Sequence, residues 1–158
     1  MKMFNEYLSQ YPNDEMAKKY VNELIKNKNK GFVTLELGSD TFVIKGMKEE
    51  KKVVVLTDRY CGSSGESFVI FASYSPWVTT IGRPTYGAID YSNVAEQNFE
   101  DGFSLYYPTS VYEGVSYGKG YDNVGVKPDI YIPWTPEHIK RDVDLEYALD
   151  FLNKDMGI

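Results

Sequence analysis

The stretch Val53-Val54-Val55-Leu56-Thr57-Asp58-Arg59-Tyr60-Cys61-Gly62-Ser63-Ser64-Gly65-Glu66-Ser67-Phe68-Val69-Ile70-Phe71 decides how the chain is read. Its first five residues form a continuous apolar run, the pattern of a strand buried on both faces in a parallel or mixed sheet covered by helices. A polar, glycine-containing turn over 58–62 ends that strand. From Ser63 to about Ser75 the pattern becomes helical, with Phe68, Phe71 and Ala72 three and four residues apart, and Pro76 closes the segment. Val78-Thr79-Thr80-Ile81 supplies a second strand. The order strand, helix, strand predicts a βαβ unit with a right-handed crossover.

Upstream, residues 13–28 place Met16, Ala17, Tyr20, Val21, Leu24 and Ile25 on one side of an amphipathic helix that Asn13 can cap. A shorter helical piece over 2–10 is stopped near Pro12. Two alternating runs, 32–37 and 41–45, flank Gly38-Ser39-Asp40 and read as a β-hairpin. Downstream of Gly82-Arg83-Pro84-Thr85-Tyr86-Gly87 the chain turns polar and irregular through Asp101. Residues 103–107 and 130–132 are strand candidates, and 114–125 is a glycine-rich loop. Thr135-Pro136 caps a closing helix with Leu145, Ala148, Leu149 and Leu152 on one stripe. The expected organisation is one domain over 1–158, with a helical lead-in over 1–30, a sheet core over 31–134 and a closing helix over 135–158.

At 158 residues the chain can bury one real core and is short for two ordinary domains. With a net charge of −6 and no basic stretch beyond residues 26–30 and Lys51-Lys52, it lacks the cationic footprint of a nucleic-acid binder. One cysteine, Cys61, excludes an intrachain disulfide and a cysteine-cage metal site. Scattered carboxylates without histidine pairing give no metal site, and no cofactor is expected. No apolar run approaches the roughly 20 residues needed to span a bilayer, and the start lacks the charged-then-apolar order of a signal peptide.

The turn into the helix is where chemistry is expected. Amide N–H groups in a first helical turn have no internal acceptor and, with the positive end of the helix dipole, can bind a developing oxyanion. Ser63 stands at that edge, with the amides of Ser64 and Gly65 behind it. Ser63 followed three residues later by Glu66 is also an ordinary capping box. Gly62 and Gly65 are off the spacing of the α/β-hydrolase elbow, which disfavours that family.

Three segments in order, 53–68, then Thr80-Ile81-Gly82-Arg83-Pro84-Thr85-Tyr86-Gly87, then Asn123-Val124-Gly125-Val126-Lys127-Pro128-Asp129-Ile130, resemble the core of the C-terminal processing (tail-specific) and tricorn-core serine peptidases. The resemblance covers roughly 53–132 and implies an α/β, Clp-protease/crotonase-like core with a mixed sheet and flanking helices. It implies Ser63 as nucleophile, three residues before the motif glutamate. Tail-specific members carry their base lysine directly after the second glycine of the Gly-x-x-Thr-x-Gly loop, and Ala88 stands there. Lys119, in Gly118-Lys119-Gly120, lies in another segment and reads as a solvated loop residue. Tricorn-like members use an upstream histidine oriented by an acid just before the Gly-Val-x-Pro-Asp segment, a place held by Asp122, which could equally be a turn-forming aspartate. The one histidine, His138, is expected to be exposed at the start of the closing helix.

The family's upstream oxyanion segment is not found, so the N-terminal half of the domain is expected to lie elsewhere, in an upstream segment or a second chain. The expected activity is that of a serine endopeptidase acting on polypeptides through an acyl-enzyme on Ser63, with Asp122 in support and the Ser64 and Gly65 amides in the oxyanion hole. A serine without a base is a weak nucleophile, so the isolated chain is expected to be nearly inactive. The alternative is a catalytically dead module that binds a peptide or a small hydrophobic ligand in its aromatic loops. Cys61 reads as a packed thiol, and Asp58, Arg59 and Glu66 as structural charges.

Overall fold

The computed structural model describes residues 2–34 and 51–155, and the chain divides into two compact units, Met1–Gly46 and Met47–Ile158. In the first unit helix α1 (Lys2–Gln10) ends at the turn containing Pro12, and helix α2 (Glu15–Lys26) follows. Its cap is Asp14 rather than Asn13: the Asp14 backbone is extended, and its Oδ1 accepts the Ala17 N–H at 2.9 Å. The Tyr7 hydroxyl donates to the other carboxylate oxygen at 3.0 Å, which ties α1 to the start of α2. Ala17 and Val21 form the buried stripe of α2. Most of the hairpin expected over 32–45 lies outside the described residues.

The second unit is built on three parallel strands. β1 (Val53–Thr57) pairs with β2 (Val78–Gly82) from Val53 opposite Val78 to Thr57 opposite Gly82, and β2 pairs in turn with β5 (Ile130–Tyr131). Parallel neighbours need a crossover, and α3 (Ser64–Ser73) supplies it and packs on β2. Among the described residues strand β1 is an edge of this sheet, and Val53 and Leu56 stay 45% and 40% exposed. The apolar run of β1 therefore does not signify burial on both faces. The central strand is β2, where Thr80, Ile81 and Gly82 are all buried between two neighbours.

The closing segment begins later than its cap suggested. Thr135-Pro136 opens a short 3₁₀ turn, Pro136–Ile139, and helix α4 (Val143–Asp155) starts after it, with Asp142 Oδ1 accepting the Leu145 N–H at 3.0 Å. Helix α4 packs against β1 and β2. Among the described residues of this unit the buried apolar ones are Val69 of α3, Ile81 of β2, Ala148 of α4 and Ile132, which follows β5.

The segment expected to be irregular contains a strand. β3 (Tyr91–Asn98) pairs antiparallel with β4 (Ser104–Val111) on either side of Asn93, which has φ 55 and no partner in the register. Residues opposite one another share a face, so Tyr91, Ala95, Tyr107, Leu105 and Val111 lie on one side and Ser92, Ser110, Glu96, Asn98 and Ser104 on the other. Parallel and antiparallel pairing thus both occur, and helices flank the parallel strands, as expected for the α/β core.

Candidate active site

The strand-to-helix turn is built from its own backbone. Asp58 Oδ1 accepts the Tyr60 N–H at 2.8 Å and the Asp58 carbonyl accepts the Cys61 N–H at 3.0 Å, which reverses the chain at the end of β1. Ser63 follows with φ 54 and ψ −117, a conformation that side-chain-bearing residues rarely adopt. Such a residue stores roughly 1–3 kcal/mol of strain and persists only where its surroundings hold it. Ser63 and Ser64 are both exposed.

The group that holds Ser63 is Glu66. Its side chain is fully buried, and its carboxylate accepts four hydrogen bonds. Oε1 receives the Thr85 hydroxyl at 2.6 Å and the Gly87 N–H at 2.7 Å; Oε2 receives the Ala88 N–H at 2.9 Å and the Ser63 N–H at 3.0 Å. Burial alone would raise the pKa of this carboxyl, but the bonds from Thr85, Ala88, Gly87 and Ser63 outweigh it and hold the value below the usual glutamate range. The capping box is thus satisfied from its carboxylate side. Its other half is in place too, with the Ser63 side chain toward the Glu66 backbone N–H, while that N–H also donates to the Ser63 carbonyl at 2.9 Å.

Of the two amides expected to face an oxyanion, the Gly65 N–H is engaged, donating to the Gly62 carbonyl at 3.0 Å. The Ser64 N–H has no acceptor among the described residues. Ser63 and the unengaged amide of Ser64 thus stand in consecutive residues at an exposed helix N-terminus.

The same glutamate joins the sequence motifs in space. Thr85, which gives its hydroxyl to Glu66, accepts the Val126 N–H at 2.7 Å, and Asn123 N–H donates to the Gly87 carbonyl at 3.0 Å. Gly125, at φ 73, lies so close to the Thr85 carbonyl that a Cβ would come within 2.2 Å of it. Asp129 then anchors the segment to the sheet, accepting the Thr80 N–H and hydroxyl at 2.8 Å each.

Asp122 sits in this second loop. Its Oδ1 accepts the amides of Ile89 and Asp90 at 3.1 and 3.0 Å, and Asp90 Oδ2 accepts those of Tyr121 and Asp122 at 2.7 and 2.8 Å. The two aspartates thus clasp the chain reciprocally around half-buried Asp122 and buried Asp90. No hydrogen bond among the described residues joins Asp122 to Ser63.

No described lysine or histidine is bonded to Ser63 either. Ala88 contributes its amide, and Lys119 is exposed. His138 is not exposed as expected: its side chain is 9% accessible and lies in a cluster with Arg83 and Asp144. Arg83 spans the Asp144 carboxylate at 3.1 and 2.5 Å, and His138 Nε2 lies 3.3 Å from Asp144 Oδ1 while Nδ1 accepts the Thr135 N–H at 3.1 Å. Burial would raise the Asp144 pKa, but Arg83 and His138 hold it lowered. Cys61 is half-buried, and burial first, then the charges of Glu66 and Asp58, push its thiol pKa up, away from a reactive thiolate.

Sequence reasoning treated Glu66 as a structural charge and passed over Thr85 and Asp90. The signal for the first two was present, since a glutamate three residues after the serine and a threonine between two glycines are both motif positions. Asp90 carried none.

Residues 4–132 match the family model of peptidase family S41. The chain is 27% identical over 107 residues to the tricorn protease of Thermoplasma acidophilum, an alignment that takes in 66% of this chain and 10% of that protein. Among solved structures it resembles a candidate peptidase from Parabacteroides merdae, with a TM-score of 0.51 and 28% identity over 64% of this chain and 31% of that one. The crystal structure of the tricorn protease aligns with a TM-score of 0.54 at 20% identity, over 68% of this chain and 11% of that chain, a likeness of fold. The chain thus spans about a tenth of the tricorn protease and under a third of the Parabacteroides chain.

Proposed function

Because the chain belongs to peptidase family S41, we propose that it is the nucleophile-bearing part of a serine endopeptidase acting on polypeptides, with Ser63 as the attacking residue. The observation that carries this reading is the strained, exposed Ser63 next to the uncommitted Ser64 N–H. Strain of this kind concentrates at functional sites, and an ordinary N-cap serine has an extended backbone, not a positive φ.

In this mechanism Ser63 Oγ adds to the scissile carbonyl carbon while its proton passes to a base, and the Ser64 N–H donates to the oxygen as charge develops there. The C–N bond then breaks, the amine leaves with the proton from the base, and an ester remains on Ser63. Water attacks the ester with the same base accepting its proton, which releases the acid and restores the hydroxyl. Glu66 is a positioning residue that acts through the Ser63 backbone.

The base in this reading is a histidine from outside the 158 residues, oriented by Asp122. Asp122 supports that role because its Oδ1 is fixed by two amides and no hydrogen bond among the described residues claims its other oxygen. Ala88, in the position of a tail-specific lysine, favours the tricorn-like arrangement over a serine–lysine dyad. The same alanine, with His138 already engaged by Asp144, favours a second reading in which the module binds peptides without cleaving them.

The test is hydrolysis of a fluorogenic peptide library by a chain extended upstream, with Ser63→Ala and Asp122→Asn beside it. The account expects Ser63→Ala to fall to background and Asp122→Asn to lose on the order of 10³-fold in kcat. Hydrolysis that persists in Ser63→Ala contradicts the serine reading.

A further inference from the structure

A cavity of about 280 Å³ opens beside the nucleophile helix. One wall is the stripe Ser67, Ile70, Phe71 and Tyr74 of α3, and Ile89 and Tyr121 stand among the residues opposite. None of its lining side chains carries a formal charge. It is smaller than the roughly 300–1,000 Å³ of sites that enclose a whole small-molecule ligand, and its walls are apolar and aromatic.

Both walls are tied to Ser63. Ser67 lies four residues on, one helical turn or about 6 Å along the axis, and its N–H donates to the Ser63 carbonyl at 3.1 Å. Ile89 follows Ala88, whose N–H shares Glu66 Oε2 with the Ser63 N–H. The cavity is therefore held in fixed register with the nucleophile by the same carboxylate that braces it. A substrate residue next to the scissile bond projects its side chain over that distance.

Resting on Ser63 as nucleophile, we propose that this cavity is the specificity pocket of the peptidase, and that it takes one aromatic side chain of the polypeptide flanking the scissile bond. The ring stacks among Phe71, Tyr74 and Tyr121, and the pocket rejects acidic and basic side chains because none of its walls can pair with a charge. The tilted Tyr112–Tyr121 pair, with centroids 5.8 Å apart, forms a preset aromatic end wall.

The probe is N-acetyl-L-phenylalaninamide, titrated into the Ser63→Ala chain and followed by NMR, with the N-acetyl amides of glutamate and lysine as comparisons. Saturable shifts on α3 and around Tyr121, at least tenfold tighter for phenylalanine than for either charged probe, are expected. Ser67→Phe places a ring in the cavity and removes the binding; Ser92→Phe fills it from the ribbon side and does the same should the first variant not fold. Absence of saturable binding, or binding that survives a folded filled variant, overturns the pocket. Reaction of Ser63 with a small alkyl fluorophosphonate in the upstream-extended chain is read separately: its absence in the unaltered extended chain sinks the nucleophile while leaving the binding result to stand or fall alone.

Discussion

At the scale of single residues, Glu66 is the centre of the site without touching the chemistry. A glutamine there offers one acceptor oxygen and one amide NH₂, so two of the four donors now facing Oε1 and Oε2 would meet another donor. Glu66→Gln is expected to cost roughly 3–5 kcal/mol of unfolding free energy in urea, as breaking a buried charged network does. The folded-state pKa of this carboxyl is lowered, so its contribution is complete above the ordinary glutamate value near 4.3 and is lost as pH falls through the folded value. The stability difference between the native chain and Glu66→Gln should therefore shrink on acidification below about pH 5. Parallel stability curves down to acid unfolding would contradict the account.

Ser63 makes the opposite prediction. At φ 54 and ψ −117 a glycine is unstrained, and at an N-cap position glycine in place of serine costs only about a few tenths of a kcal/mol. Ser63→Gly should leave stability unchanged or raise it by up to about 1 kcal/mol, after the glycine's own entropy is set against the relieved strain. A loss greater than 1 kcal/mol in thermal unfolding would mean that the hydroxyl serves the fold. The serine was legible because its motif neighbours are local. Its strain was not, since a dihedral angle is imposed by the Glu66 bonds from a loop more than twenty residues away in sequence.

At the scale of elements, the βαβ unit was readable because each of its parts follows from local period and punctuation: a β-branched run, a turn, a helical stripe, a proline, another β-branched run. Strand β3 was not readable. Tyr91-Ser92-Asn93-Val94-Ala95-Glu96-Gln97-Asn98 has little β preference, and it becomes a strand through pairing with β4. A two-stranded ribbon of this kind is marginal by itself. Native-state hydrogen exchange should find β3 and β4 amides exchanging at least tenfold faster than those of β2, which has a neighbour on each side. Equal protection would show that the ribbon shares the sheet's cooperativity.

Helix α4 is fastened differently. Arg83 at the end of β2 spans Asp144 with both terminal nitrogens, and both side chains are largely withdrawn from water. Asp144→Ala leaves the guanidinium unpaired and should cost about 3 kcal/mol in urea unfolding, whereas the exposed Lys140–Glu137 pair should be worth under 1 kcal/mol. Composition alone gave no warning of this contact: Arg83 is 55 and 61 residues from His138 and Asp144, and an isolated histidine in a first helical turn is usually at the surface.

At the scale of the whole molecule, three separated sequence segments become one object. The serine turn, the 80–90 segment and the 121–130 segment meet through Glu66, Thr85, Asp122 and Asp129, and each contact is a hydrogen bond to backbone or hydroxyl. Order along the chain was legible, but the convergence required coordinates, because hydrogen-bond partners that many residues apart leave no periodic trace. The helical lead-in contributes none of these groups. In the proposed reading this convergence presents Ser63 for acyl transfer.

Treating the chain, and a chain extended upstream, with a fluorophosphonate and mapping the adduct by mass spectrometry tests that claim most directly. The account predicts modification at Ser63 in the extended chain, at a rate that Ser63→Ala abolishes, and little or none in the 158-residue chain. No adduct on Ser63 in either chain would contradict it and leave a peptide-binding module in its place.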